Sequence, residues 1–298
     1  MIKKIMVPLD GSEFAEAVLP YAAEIARRTS SRVLLFTAVT PIATWDATAS
    51  MVRWDRELEL AQEYLNRKAA ELTAGGLSVD ATAMLGDAAE CILKVAREEK
   101  IDLIALTTHG RSGLTRWLFG SVATKLVQSS DLPLLVIRPQ DGAPKPQPLD
   151  RILVPLDGSD TAQSILPFVE ELAKRLDASL ILFHAIAPIT AYPGFEATNP
   201  AAVGQVLEEM QQHAGQMLSR IVQEMQGRGL KAEALVAIDL AVDGVIHAAQ
   251  DTRADLIALG THGRSGVGRA IMGSVADGVV RRSALPCLLV HPKEPLKT

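Results

Sequence analysis

The residues best suited to chemistry are a glycine-rich run and the turn downstream of it. Gly260-Thr261-His262-Gly263-Arg264-Ser265-Gly266 packs glycines and small hydroxyl residues closely enough to leave backbone N–H groups uncovered, and Gly273-Ser274-Val275 follows at the opening of a helical pattern. A helix N-terminus of glycine and a hydroxyl offers unspent N–H donors and a dipole that favours phosphate. Together the two features predict a cradle for a polyphosphate. The first half of the chain carries the counterpart, Thr108-His109-Gly110-Arg111-Ser112-Gly113 with Gly120-Ser121-Val122. Asp10 and Asp157 each stand at a strand end before Gly-Ser, where the carboxylate either caps a helix or meets a ligand hydroxyl. His109 and His262 order their loops or act on a phosphate, and Arg111 and Arg264 supply charge or pair at the surface.

Other chemistries lose support. There is no Gly-Lys-Ser/Thr for a P-loop, no GxGxxG after the first strand for a dinucleotide fold, and Gly110-Arg111-Ser112-Gly113 is one residue short of GxSxG. Cys91 and Cys287 sit in apolar surroundings with no partner at metal-ligand spacing, which argues against a zinc site or a disulfide framework. With 30 Lys plus Arg against 35 Asp plus Glu, net −5, nucleic acid is a poor partner. No segment approaches the ~18 apolar residues of a membrane span, and the opening apolar segment, which ends at Pro8, reads as too short for a signal-peptide core. The expected compartment is the cytoplasm.

The elements that must position these residues are written twice. IMVPLDGS at 5–12 returns as ILVPLDGS at 152–159, and DLIALTTHGRSG at 102–113 returns as DLIALGTHGRSG at 255–266. A period so much longer than a solenoid repeat makes each copy a whole domain. The predicted domains are 1–139 and 151–298, joined across 140–150 by a proline-rich linker. In the first copy the apolar runs Ile2–Leu9, Arg32–Val39, Ser78–Met84, Leu103–Thr107 and Leu132–Arg138 read as strands buried on both faces. Between them, Met51, Trp54, Leu58, Ala61, Leu65, Ala69 and Leu72 form a helical stripe, repeated as Val203, Leu207, Met210, Ala214, Met217, Ile221 and Met225. The order predicts an α/β chain of two tandem doubly wound domains, each a five-stranded parallel sheet with helices on both faces. Ligands bind such sheets beyond the carboxyl ends of the strands, where the winding reverses.

On these residues each half resembles a universal stress protein domain, whose first strand ends in Asp and whose nucleotide signature is Gly-x2-Gly-x9-Gly-Ser/Thr. The second copy matches it in full at Gly260, Gly263, Gly273 and Ser274. The resemblance, to the tandem form of the family, implies the adenine nucleotide alpha hydrolase-like fold and a bound ATP or related adenine nucleotide, with Mg2+ or Mn2+ as candidate counter-ions. It implies that Asp157 contacts ribose or adenine, that Ala185 lines the adenine pocket, and that Gly260, Gly263, Gly273, Ser274 and Val275 hold ribose and phosphates. The matching first-copy positions are Asp10, Ala38, Thr107, Gly110, Gly120, Ser121 and Val122. Two departures stand out. Thr107 replaces the first signature glycine and is expected to crowd the ribose. Asp239 replaces the glycine that the first copy keeps at Gly86, and is expected to repel phosphates unless a metal intervenes.

The resemblance also implies that the copies pair through their last strands as an internal pseudo-dimer, with further association of two chains and a regulatory protein partner left open. The function expected is an ATP-binding regulator of a stress response without efficient turnover. The alternatives are a slow ATPase or self-phosphorylating enzyme on the same site, and an interaction module with empty sites.

Overall fold

The computed structural model describes residues 2–41, 47–108, 120–139, 148–188, 200–261 and 272–291. It divides into two compact units, Met1–Pro148 and Leu149–Thr298. Leu149 is fully buried and the Asp150 N–H donates to Asp255 Oδ2 at 3.0 Å, so these two residues belong to the second unit's fold. Residues 140–147 of the expected linker lie outside the described residues.

Unit 1 runs β1 (Lys4–Pro8), α1 (Glu13–Glu16), α2 (Leu19–Thr29), β2 (Arg32–Val39), α3 (Ala47–Ala74), β3 (Val79–Leu85), α4 (Ala88–Glu98), β4 (Leu103–Thr107), α5 (Ser121–Ser129) and β5 (Leu134–Ile137). Its strands lie in the order β3-β2-β1-β4-β5, all parallel. Every residue of β4 and β5 is buried, and since successive side chains point to opposite faces, both faces are covered there. The chain winds outward from β1 to β3, then returns past β1 to β4. That reversal opens a crevice between the carboxyl ends of β1 and β4.

Unit 2 repeats the plan with β6 (Arg151–Pro155), α6 (Asp160–Gln163), α7 (Leu166–Leu176), β7 (Ser179–Ile186), α8 (Pro200–Gly227), β8 (Lys231–Ile238), α9 (Ala241–Asp251), β9 (Leu256–Gly260), α10 (Ser274–Arg282) and β10 (Cys287–Val290). Its order is β8-β7-β6-β9-β10. Local signals explain the helix ends: α2 and α7 each carry proline in the first turn and stop at a left-handed residue, Ser30 at φ 56° and Asp177 at φ 48°.

The apolar stripes of the long helices are only partly buried. In α3 Leu65 is fully buried whereas Met51 is 61% exposed; in α8 burial begins at Ala214 and continues through Leu218, Val222 and Met225, one position off the expected Met217 and Ile221. Length is the cause. A 28-residue helix is about 42 Å long, whereas the seven-residue strand β3 spans roughly 23 Å. The helix overruns its sheet, and its first half has no strand to cover. Among the described residues, no helix is long and apolar enough to cross a membrane.

Candidate functional site

The site begins at the end of β1. The Leu9 N–H donates to the Phe36 carbonyl at 2.8 Å, and the chain then turns through Gly11 at φ 82°. A side chain there would be strained, which accounts for glycine between Asp10 and Ser12. Ser12 is the N-cap of α1: its Oγ accepts the Ala15 N–H at 3.1 Å. Asp10 Oδ1 in turn accepts the Ser12 N–H at 2.9 Å and its hydroxyl at 2.6 Å. Unit 2 repeats the arrangement with Gly158 at φ 84°, Ser159 capping Ala162 at 3.1 Å, and Asp157 Oδ1 holding Ser159 at 3.0 and 2.6 Å. Of the two roles considered for these aspartates, capping belongs to the serines; each aspartate fixes its capping serine and stands at the cavity wall.

The second component is the start of α5 and α10. The Gly120 and Gly273 N–H groups donate to the Thr108 and Thr261 carbonyls, both at 2.7 Å, which pins each helix start against the end of β4 or β9. Glycine is the N-cap of both helices and has no side chain to cap with. The first intrahelical bonds are Thr124 N–H to Gly120 O and Asp277 N–H to Gly273 O, both 2.9 Å. The amides of 121–123 and 274–276 are therefore unspent within their helices, at the positive end of the helix dipole.

Each pair of components encloses a cavity, about 310 Å3 in unit 2 and about 300 Å3 in unit 1. In unit 2, Phe183 and Ala185 of β7 face Ala241 and Val245 of α9 across an apolar slot; Asp157, Gly260 and the 273–276 turn close the polar side. In unit 1, Phe36 and Ala38 face Ala88 and Ile92, closed by Asp10, Thr107 and the 120–123 turn. An apolar slot with a few convergent polar groups is the usual composition of a small-molecule site. The structure thus gathers Asp157, Ala185, Gly260, Gly273, Ser274 and Val275 in one cavity and Asp10, Ala38, Thr107, Gly120, Ser121 and Val122 in the other. Gly110 and Gly263 lie outside the described residues, as do His109, His262, Arg111 and Arg264. Of the apolar walls, the sequence pointed only to Ala38 and Ala185. The signal of the walls is period two along the second strand, Phe then Ala, and i, i+4 on the helix that follows the third strand.

The two departures read differently in three dimensions. Thr107 is 9% exposed at the end of β4, and the cavity beside it is nearly as large as the one beside Gly260, so its side chain does not fill the space. Asp239 does not line the unit 2 cavity. Its Oδ1 accepts the Leu240 N–H at 2.7 Å and its Oδ2 meets His247 Nδ1 at 2.7 Å. That histidine bond, foremost, holds the Asp239 carboxyl below the usual carboxylate range. The carboxylate is thus committed to a local pair outside the cavity lining.

A compensating exchange lies beneath. At Gly86, φ 147°, an added Cβ would stand 2.6 Å from Cys91 Sγ; at Gly244, the counterpart of Cys91, an added Cβ would stand 3.1 Å from Asp239 Cβ. Each unit keeps one small and one larger residue at this junction, in opposite places. A further difference ties the first site to α3. Glu16, at the end of α1, accepts the Tyr64 hydroxyl at 2.8 Å and pairs with Lys68 at 3.0 Å. Burial, and then the Glu16 bond, push the Tyr64 phenol well above its ordinary pKa. In unit 2 the corresponding residues are Gln163, Met217 and Ile221, around a polar groove.

A sequence model described as the universal stress protein family matches residues 1–138 and again 148–291. A universal stress protein of Mycobacterium tuberculosis strain H37Rv is 25% identical over 96% of each chain, and one from Mycolicibacterium smegmatis is 22% identical over 97% of each. Among solved structures, a universal stress protein from Archaeoglobus fulgidus superposes with a TM-score of 0.73 over 97% of this chain and 98% of that one. At 19% identity that likeness is one of fold.

Proposed function

The chain belongs to the universal stress protein family, in two tandem copies, and from that premise and the two strand-end cavities we propose that each unit binds an adenine nucleotide, ATP foremost. One observation carries the proposal: in both units an apolar slot ends against an uncapped helix N-terminus. A flat aromatic base fits between Phe183, Ala185 and Val245, and phosphates fit along the first turn of α10, where each favourable dipole contact contributes about 0.3–1 kcal/mol. A volume near 310 Å3 is at the lower end for ligand sites, which suits a base and ribose inside with phosphates outside. Asp157 stands at the mouth, within reach of sugar hydroxyls. Among the described residues no group of three or more His, Cys, Asp or Glu could hold a metal ion, so Mg2+ or Mn2+ would arrive on the phosphates.

The protein then acts as a nucleotide-responsive regulator in the cytoplasm. The walls offer donors and apolar surface, and one carboxylate oxygen already committed to a serine, which is equipment for holding a nucleotide. Calorimetric titration of nucleotide-free protein with ATP and Mg2+ should show saturable binding with ATP recovered intact. Ala185→Trp should remove the unit 2 site and Ala38→Trp the unit 1 site. Binding untouched by both substitutions would overturn the reading, and steady release of phosphate would turn it toward the slow ATPase.

A further inference from the structure

The two units treat the outer edges of their sheets differently. In unit 1 the edge strand β3 is covered by one side chain: Gln62 of α3 donates from Nε2 to the Ala81 carbonyl at 3.2 Å and accepts the Ala83 N–H at Oε1, 3.0 Å. A single amide takes the donor and acceptor that a neighbouring strand would take. Matching the units through the buried Leu65 and Leu218 and the turn glycines Gly76 and Gly229 puts Gly215 of α8 where Gln62 stands. Ala81 and Ala83 then correspond to Ala234 and Val236 of β8. A Cβ at Gly215 would meet nothing within 4 Å, so the space beside this edge is open.

The strand itself shows which groups face outward. Gln226 Nε2 donates to the Ala232 carbonyl at 2.9 Å, and backbone groups alternate in direction along a strand, so those of Ala234, Val236 and Ile238 point the same way. No side chain among the described residues bonds to the outward groups of Ala234 or Val236. Ala234 and Ile238 are exposed, and from Ala234 to Ile238 the strand carries no charge and no proline. Charges and prolines are what ordinarily discourage an edge from pairing.

We propose that this edge is an interface with a second copy of the chain, β8 pairing antiparallel with β8 about a two-fold axis through Leu235. In that register Ala234 lies opposite Val236 of the second copy, each such pair exchanging both of its N–H···O bonds. Charge selects the register. Lys231 falls opposite Asp239 of the second copy, twice by symmetry, whereas an axis through Val236 would set Glu233 against Asp239 and an axis through Ala234 would leave Lys231 facing Ala237. Lys231 now pairs with Asp177, and Asp239 with the exposed His247; rim ion pairs of this kind exchange partners at little cost. Gln62 denies the same pairing to the β3 edge of unit 1.

Sedimentation equilibrium of the full chain from about 1 µM to about 100 µM should show monomer and dimer in exchange. Gly215→Gln, which gives unit 2 the cover that unit 1 has, should weaken the dimer at least about tenfold. Val236→Pro should do the same, since the N–H it removes points away from β7 and costs no ladder bond. Lys231→Glu should weaken the dimer, and Lys231→Glu with Asp239→Lys should restore it. Circular dichroism identifies any variant that fails to fold, and the others then decide. A protein monomeric throughout the range, or a dimer indifferent to these substitutions, overturns the proposal. Neither result bears on nucleotide binding.

Discussion

The exchange between Gly86/Cys91 and Asp239/Gly244 predicts a coupling that can be measured. In Gly86→Ala the new Cβ would stand 2.6 Å from Cys91 Sγ, about 1 Å inside ordinary contact. Overpacking of that kind costs about 1–3 kcal/mol. The backbone at φ 147° adds strain of about 1–3 kcal/mol for a residue with a side chain. Gly86→Ala should therefore destabilise unit 1 by about 2–6 kcal/mol. Cys91→Gly alone should cost about 1–3 kcal/mol, chiefly from removing a buried side chain, with a few tenths from glycine in a helix. It also removes the sulfur, so the double variant should be about 1–3 kcal/mol better than the sum of the singles. The assay is urea unfolding followed by tryptophan fluorescence: Trp45, Trp54 and Trp117 all lie in the first unit, so the signal reports that unit alone. A coupling below about 0.5 kcal/mol would refute the reasoning, because the cost would then be backbone strain with no steric part.

Two further outcomes follow from the site's construction. Ser159→Ala removes the α6 cap and the hydroxyl's hydrogen bond to Asp157 Oδ1, leaving the backbone N–H bond to the same oxygen. It should cost about 1 kcal/mol in unit 2, read by chemical denaturation, and weaken nucleotide binding there while leaving unit 1 unchanged. Tyr64 carries a raised phenol pKa in the folded state, so the stability it contributes is fully present below about pH 10 and is lost as pH rises above that value. Tyr64→Phe should flatten this alkaline loss; a pH–stability profile unchanged by the substitution would show that the Tyr64 phenol carries no linkage.

Much of this molecule is legible in its amino-acid order because the same signals occur twice. Asp-Gly-Ser after an apolar run marks a strand end, a left-handed turn and a capped helix, and Gly-Ser-Val marks a helix start without a cap; each is a local effect. Beyond Ala38 and Ala185, the cavity walls were not legible. Phe36 and Ala38 meet Ala88 and Ile92 only when β2 and α4 are brought together, and no local pattern shows that two apolar surfaces leave a gap between them. Thr107 and Asp239 misled for the same reason: a residue type at a signature position does not show where its side chain goes. Asp239 goes to His247, eight residues on and one helical face away. The long stripes in α3 and α8 misled through length, since periodicity records a face without showing where its sheet ends.

The central claim is that adenine nucleotide lies against the first turns of α5 and α10. Hydrogen–deuterium exchange with and without saturating ATP and Mg2+ tests it most directly, by reading the amides of 121–123 and 274–276. The account predicts that exchange slows at both turns and around Ala38 and Ala185, with little change elsewhere in the sheets. Saturable binding that leaves both turns exchanging as before would contradict it, because the nucleotide would then be held somewhere else.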